Sequence, residues 1–201
     1  MKVLKHSIRL LFAVCIILQG CTEVPVPKPK GYFRIDLPEK EYTVFNDTNR
    51  KDGYIPVSFE YPVYGTISFD DNINPESGWF NIDFPSFKAR IYLTYKDVNN
   101  DLAALMEETY RMNVKNHISK ADAISEKVLS YPENKVYGIL YDLKGNTATA
   151  VQFFVTDSIK HYFRGSLYFL SAPNPDSLAP VNEFFRSDII HMIETLKWKG
   201  K

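Results

Sequence analysis

The sequence predicts an α+β domain in which an antiparallel sheet, ending in a three-strand meander, packs against two main helices. Three observations predict it. Apolar and polar residues alternate in several runs between Val57 and Leu170, which is the period of half-buried strands. Asn99–Asn116 and Val181–Leu196 change to a helical period. A one-sided sheet and a one-sided helix each bury their apolar side on the other.

The chain opens differently. Lys2, Lys5 and Arg9 precede nine uninterrupted apolar residues, Leu10 to Leu18. A membrane span needs about 20 apolar residues, so this run is too short to cross but suits the core of a signal peptide. It ends in Leu18-Gln19-Gly20-Cys21. A small residue before a cysteine that closes the apolar run resembles the bacterial lipobox. That resemblance implies cleavage ahead of Cys21, a diacylglycerol thioether on its sulfur and an acylated amino terminus. Residues 1–20 are therefore read as a lipoprotein signal peptide. An ordinary secretory signal or an uncleaved anchor is the plainer alternative.

Pro25, Pro27 and Pro29 follow in alternation with Val26, Lys28 and Lys30. Alternating prolines favour an extended spacer at about 3.1 Å per residue, so residues 21–31 form a lipid-anchored tether of roughly 30 Å. The remainder, residues 32–201, is read as a single globular α+β domain, the chain as a whole having an ordinary composition of 45% apolar and 24% charged residues.

The first strands are marked by Val57, Phe59 and Tyr61, then Phe80, Ile82 and Phe84, then Ala89, Ile91, Leu93 and Tyr95, with Gly78 and Pro85 as punctuation. In the first helix Leu102, Leu105, Met106, Thr109 and Asn113 trace the apolar stripe, and Asn99, Asn100 and Asp101 offer capping oxygens. Ser119–Lys127 is read as a further helical turn or two. From Lys135 the alternation is clearest. Tyr137, Ile139, Tyr141 and Leu143 lead to a Gly145-Asn146 turn, Thr147–Thr156 returns, Asp157–Lys160 turns again, and His161–Leu170 completes the meander. A loop at Pro173–Ser177 precedes the last helix, whose stripe is Val181, Phe185, Ile189, Met192, Ile193 and Leu196. This order is similar to the Mog1/PsbP-like arrangement, an analogy of fold that carries no function.

Charge and cysteine content exclude whole classes of chemistry. Three of the 24 basic residues and none of the 24 acidic ones lie in residues 1–20, leaving the remainder at a net charge of about −3. That disfavours nucleic acid as a partner and polybasic attachment to a membrane. Cys15 departs with the signal, and a lipidated Cys21 leaves no thiol for a disulfide, metal or nucleophile.

Asp157, Ser158, His161 and Arg164 lie close enough to suggest a hydrolytic triad, but no Gly-x-Ser-x-Gly elbow accompanies them. Turn chemistry plus an outward strand face is the simpler reading. His117, His161 and His191 lack a second ligand at metal spacing. Asp70-Asp71-Asn72 with Asn74 resembles a fragment of a calcium loop without its glycine and terminal glutamate. No catalytic, metal or cofactor residue is therefore assigned. Tyrosine is the enriched type: Tyr61, Tyr64, Tyr92, Tyr95, Tyr137, Tyr141, Tyr162 and Tyr168 lie in or beside strands. Sheet propensity accounts for them, and an aromatic recognition face is the functional alternative.

Several stretches form a series: KPKGYFRIDLP (28–38), FEYPVYG (59–65), WFNIDFPSFKARIYLTYK (79–96), KNHISKADAI (115–124), VYGILYDLKGNTATAVQFFVTDSIKHYFRGSLYF (136–169), PNPDSLAPV (173–181) and ETLKW (194–198). With the lipobox, this resembles the GldD family of gliding-motility lipoproteins of gliding Gram-negative bacteria. The resemblance implies a cell-envelope lipoprotein associated with the gliding-motility and type IX secretion machinery. It further implies other motility or secretion proteins as partners, and neither enzyme activity nor cofactor. Its residue-level consequence is Cys21 as the lipid attachment site. Thr22-Glu23-Val24 has no acidic cluster of the kind linked to surface display in some relatives, so an outer-membrane position facing the periplasm is expected. A periplasmic lipoprotein with a ligand-binding or hydrolytic domain is the competing expectation.

Overall fold

The computed structural model describes residues 35–46, 54–69, 78–170 and 175–200, all within one compact unit, Ile35–Lys201. Residues 1–34, including Cys21 and the proline tether, lie outside the described residues, as does the Asp70–Asn74 stretch.

Ten strands and two helices are described. β1 (Tyr42–Asn46), β2 (Val57–Pro62), β3 (Thr66–Ser68), β4 (Trp79–Phe84) and β5 (Ala89–Asp97) come first. Then follow α1 (Leu102–Tyr110), β6 (Ala121–Tyr131), β7 (Val136–Gly145), β8 (Thr149–Thr156), β9 (His161–Phe169), α2 (Pro175–Glu194) and β10 (Lys197–Trp198). Seven strands form an antiparallel sheet in the order β3-β4-β5-β9-β8-β7-β6, and β1-β2-β10 form a small second sheet. The expected α+β class and the meander β7-β8-β9 are both present. The small sheet is an addition: the closing strand β10 is two residues long, too short for any periodicity to announce.

The core lies on one face of the large sheet. Period two sends Phe80, Ile82 and Phe84, then Ile91 and Leu93, then Phe163 and Leu167, then Val151, Phe153 and Val155 to that side. α2 and the small sheet cover them. Phe45 and Phe59 stack at 4.9 Å, Phe45 stacks on Phe80 at 4.9 Å, and Phe163 lies 5.8 Å from Phe59, so rings carry the contact from one sheet into the other. Gly165 makes room for this. A Cβ there would come within 2.3 Å of the Phe153 ring and 2.9 Å of Leu93.

α2 presents Val181, Phe184, Phe185, Ile189, Met192 and Ile193 to the core, followed by Leu196 just beyond its end. Its polar residues fix the angle of docking. Asp188, only 1% exposed, accepts from Lys40 Nζ at 2.5 Å, Tyr64 Oη at 2.6 Å and Tyr42 Oη at 3.0 Å. Arg186 grips Asp142 of β7 with two bonds, 2.7 and 3.0 Å.

Three expectations need correction. Ser119–Lys127 is not helical: Ala121–Tyr131 is an eleven-residue edge strand paired with β7. Its largely exposed side chains mask the period of two, and backbone pairing with β7 decides the conformation. The last helix starts at Pro175 rather than beyond the Pro173–Ser177 loop, because proline is favoured where the first N–H groups have no intrahelical partner. The oxygens before α1 do not cap it. Asp101 Oδ1 accepts the Asn99 N–H at 2.8 Å instead, with Asn100 in the left-handed region at φ 63°.

One repetition escaped the sequence reading. Pro85–Phe87 and Pro132–Asn134 are both single 3-10 turns inside hairpins, each closed by a left-handed lysine, Lys88 at φ 49° and Lys135 at φ 53°. Both lysine N–H groups donate to the proline carbonyl at 3.1 Å. The shared aromatic-Pro-x-x-Lys pattern makes one hairpin connection twice.

Candidate functional site: an aromatic cleft on the open sheet face

The second face of the large sheet is only partly covered. α1 continues into a π-helical turn, Arg111–Lys115, and Leu105 and Val114 pack on Tyr141, Leu143, Phe154 and Tyr162. Tyr162 Oη secures the helix: it lies 2.6 Å from Thr109 Oγ1 and donates to the Leu105 carbonyl at 3.3 Å. Burial in this seam pushes the Tyr162 phenol well above its usual range. The covered half therefore comprises chiefly β7, β8 and the start of β9.

Across β4, β5 and the rest of β9 no helix is laid among the described residues, and a cleft of about 500 Å³ opens there. Register assembles it. Trp79, Thr94 and Arg164 are cross-strand partners in one row; Asn81, Tyr92, Ser166 and Gln152 are partners in the next. Tyr168 stands two residues beyond Ser166 on the same face. Met112 and Asn113 of the π turn supply the wall on the helix side. A π turn displaces side chains from the α-helical stripe, which puts Met112 over the cleft while Asn113 and Val114 are both buried.

The rings are held by neighbours. Tyr92 and Tyr168 meet edge to face at 5.5 Å, and Arg90 lies 5.5 Å over the Tyr92 ring. Trp79 and Tyr92 remain 43% and 41% exposed, well above a strand aromatic that has found its packing partner. Burial and the adjacent Tyr92 push the Tyr168 phenol up, against an opposing pull from Arg164. In the lining, Ser166 Oγ donates to Gln152 Oε1 at 3.3 Å, while Gln152 Nε2 is buried with no hydrogen-bond partner among the described residues.

The residues weighed as a triad are not arranged as one. Asp157 Oδ1 accepts the backbone N–H groups of Ile159, Lys160 and His161 at 2.8–2.9 Å. Burial alone would push its carboxyl up, but those three donors hold it below the usual carboxylate range. Ser158 is exposed at φ 69°. His161 Nδ1 is 2.7 Å from Tyr95 Oη, and its ring stacks on Trp198 at 5.2 Å. Arg164, three residues along β9, points to the opposite face and lines the cleft.

The other histidines are equally dispersed. His191 Nε2 meets Glu60 at 2.7 Å beneath a stacked Tyr42 ring, and His117 is held below its usual range by burial and by Lys120. No group of three or more His, Cys, Asp or Glu residues is placed to hold a metal among the described residues. Nor is any helix among them long and apolar enough to cross a membrane.

Of the eight singled-out tyrosines, Tyr95, Tyr141 and Tyr162 are buried, and only Tyr92 and Tyr168 join the cleft. Trp79 and Met112, which complete it, carry no local signal. Trp79 follows a glycine at the start of a strand, and Met112 reads as one more helical residue.

Comparison with known proteins bears on what displays this cleft. No curated protein matches the chain. Among solved structures, the solution structure of cyanobacterial PsbP (CyanoP) from Synechocystis sp. PCC 6803 is similar over 90% of this chain and 99% of that chain, at 13% identity and a TM-score of 0.46. The family model described as gliding motility lipoprotein GldD matches residues 22–198, which spans every described strand and both helices. The chain belongs to the gliding motility lipoprotein GldD family.

Proposed function

We propose that the protein is a membrane-anchored, non-enzymatic interaction or assembly factor of the gliding-motility and type IX secretion machinery, gripping a protein partner with the open sheet face. The observation that carries the reading is the cleft with its exposed rim, Trp79 and Tyr92, backed by Tyr168 and Met112. Aromatic side chains and methionine are enriched at protein interfaces, where they supply large contact area. Membership of a gliding-motility lipoprotein family supports a role in motility, and the lipobox-like Leu18-Gln19-Gly20-Cys21 supports a membrane address. In this reading Cys21 carries the lipid, and the proline-rich segment holds the domain away from an outer membrane on its periplasmic side. Two or more acyl chains hold a protein stably, where one holds it marginally.

The test compares cells carrying Cys21→Ala, the double variant Trp79→Ala/Tyr92→Ala, and wild type for colony spreading and secretion of type IX cargo. Both variants should accumulate and both should fail to spread, the first because the domain is released and the second because its grip is lost. Normal spreading of the double variant would overturn the assignment of this face. Normal spreading of Cys21→Ala would overturn the anchor.

A further inference from the structure

The charges on the open face are not evenly matched. Arg90 Nε donates to Asp83 at 2.5 Å, and Lys96 Nζ lies 3.6 Å from Glu108. Lys115, on the far side of the π turn, meets Glu107 at 3.1 Å. Arg164 differs. It is half-buried in the cleft, and its guanidinium donates to the thioether of Met112 at 3.2 Å, with no carboxylate partner among the described residues. A thioether is a weak acceptor, whereas a guanidinium is charged at every physiological pH and offers five donors in a planar fork. The strongest complement to that fork is a carboxylate. Around it stand Trp79, Tyr92 and Tyr168, surfaces that favour another ring at edge or offset geometry.

Building on the proposed recognition role, we propose that the cleft receives a carboxylate set beside an aromatic ring, both presented by an extended acidic-aromatic segment of the partner protein. Charge complementarity at Arg164 specifies the carboxylate. The exposed Trp79 and Tyr92 specify a polypeptide: a free organic acid seated on Arg164 would leave both rims in water, whereas a chain carrying the acid crosses them. The incoming carboxylate replaces the Met112 sulfur as acceptor, and the thioether turns to the ring beside it, a contact sulfur makes readily.

The experiment titrates three probes into the detergent-solubilised full chain by calorimetry. They are acetyl-Gly-Asp-Phe-Gly-amide, its Asn counterpart, and 3-phenylpropionate. Trp fluorescence in a Trp198→Phe background, which leaves Trp79 as the sole indole, locates the binding. The Asp peptide should bind at least about tenfold more tightly than the Asn peptide, a difference of ~1.4 kcal/mol, and should perturb Trp79 emission. Arg164→Gln should reduce that ratio to less than about twofold, and Arg164→Lys should keep part of it.

Equal binding of the Asp and Asn peptides by the wild type would overturn the proposal, as would no binding of either at millimolar concentration. So would 3-phenylpropionate binding as tightly as the Asp peptide, which would make the cleft a site for small acids. The Asp-to-Asn ratio and its decline with salt are read on unaltered Arg164, so a poorly folding Arg164→Gln leaves the result decisive. If the peptides discriminate while Trp79→Ala/Tyr92→Ala cells spread normally, the ligand chemistry stands and the motility role of the face falls. The reverse pattern separates the two the other way.

Discussion

The two faces of the seven-stranded sheet are built from the same strands and finished in opposite ways. On one, the inward side chains from Phe80 to Val155 join a single buried core with α2 and the small sheet, and the aromatic rings interlock. On the other, α1 and its π turn cover the β7–β8 half and stop, leaving Trp79, Tyr92 and Tyr168 partly in water. A strand can alternate between two apolar faces only if something covers each. The difference teaches that an aromatic on a strand says little until its cover is known: Tyr162 and Tyr92 look alike in sequence, yet one is core and the other is rim.

The covered face should be the most sensitive to truncation. Phe185 is fully buried and meets Phe84 at 4.6 Å, Phe87 at 5.3 Å and Phe184 at 5.6 Å. Phe185→Ala should cost about 3–5 kcal/mol, read as a lowered urea midpoint with little change in slope. A cost below about 1 kcal/mol would mean that α2 contributes far less to the core than its burial implies.

Next in size is the polar clamp on the same side. Asp188→Ala strips Lys40, Tyr42 and Tyr64 of their shared acceptor and should cost about 3 kcal/mol. Asp142→Ala removes a partner of Arg186 that is more exposed than Asp188, 22% against 1%, and should cost about 1 kcal/mol. If the two were equal, depth of burial would not be what separates these ion pairs. The clamp also has a signature in alkali. Burial, then Asp188, pushes the Tyr42 phenol up to about 12 from an ordinary 10.0. A phenol with a raised folded pKa keeps its full contribution below pH 10, and loses it as pH rises toward 12 because the unfolded chain ionises first. Tyr42→Phe should therefore flatten the fall in stability between pH 10 and 12, measured by urea midpoints across that range.

The covered face was also the legible one. Alternation at Ile82, Ile91, Phe153 and Phe163, and the helical stripe from Val181 to Leu196, state burial directly because one period serves one face. The edge strand β6 was misread because exposure of most of its side chains erases the alternation. Asp188 falls at the spacing of the apolar stripe itself, three residues after Phe185 and four before Met192, where hydropathy argues against a charge, and its three partners come from more than 120 residues away. The cleft was illegible for a related reason. It depends on where α1 ends, on a π turn that shifts Met112, and on a register that aligns Trp79 with Arg164. Each is a tertiary outcome. The lipid signature, by contrast, is linear, so sequence alone could point to Cys21.

On the half-covered face the effects should shrink. Tyr162→Phe removes the hydroxyl that ties α1 down through Thr109 and Leu105, leaving a buried Thr109 without that partner. The expected cost is about 1–1.5 kcal/mol, accompanied by faster amide exchange across α1 while α2 keeps its protection. Equal acceleration in both helices would show that the two faces unfold as one unit.

The smallest effect should fall on the rim. Trp79 is the larger of the two exposed rings, and truncating a buried tryptophan ordinarily costs about 3–5 kcal/mol. Here the ring is 43% exposed at one end of the row it shares with Thr94 and Arg164. It contributes contact on one side only, while β4 keeps its backbone ladder and the core residues Phe80, Ile82 and Phe84. Trp79→Ala should therefore shift stability by no more than about 0.5 kcal/mol, checked by thermal melting beside Phe185→Ala. A cost approaching that of Phe185→Ala would make Trp79 a packing residue and remove the contrast between the faces. A near-zero cost would mean that a large apolar ring is kept in water with little return to the fold, as expected of a surface that completes its packing against another molecule.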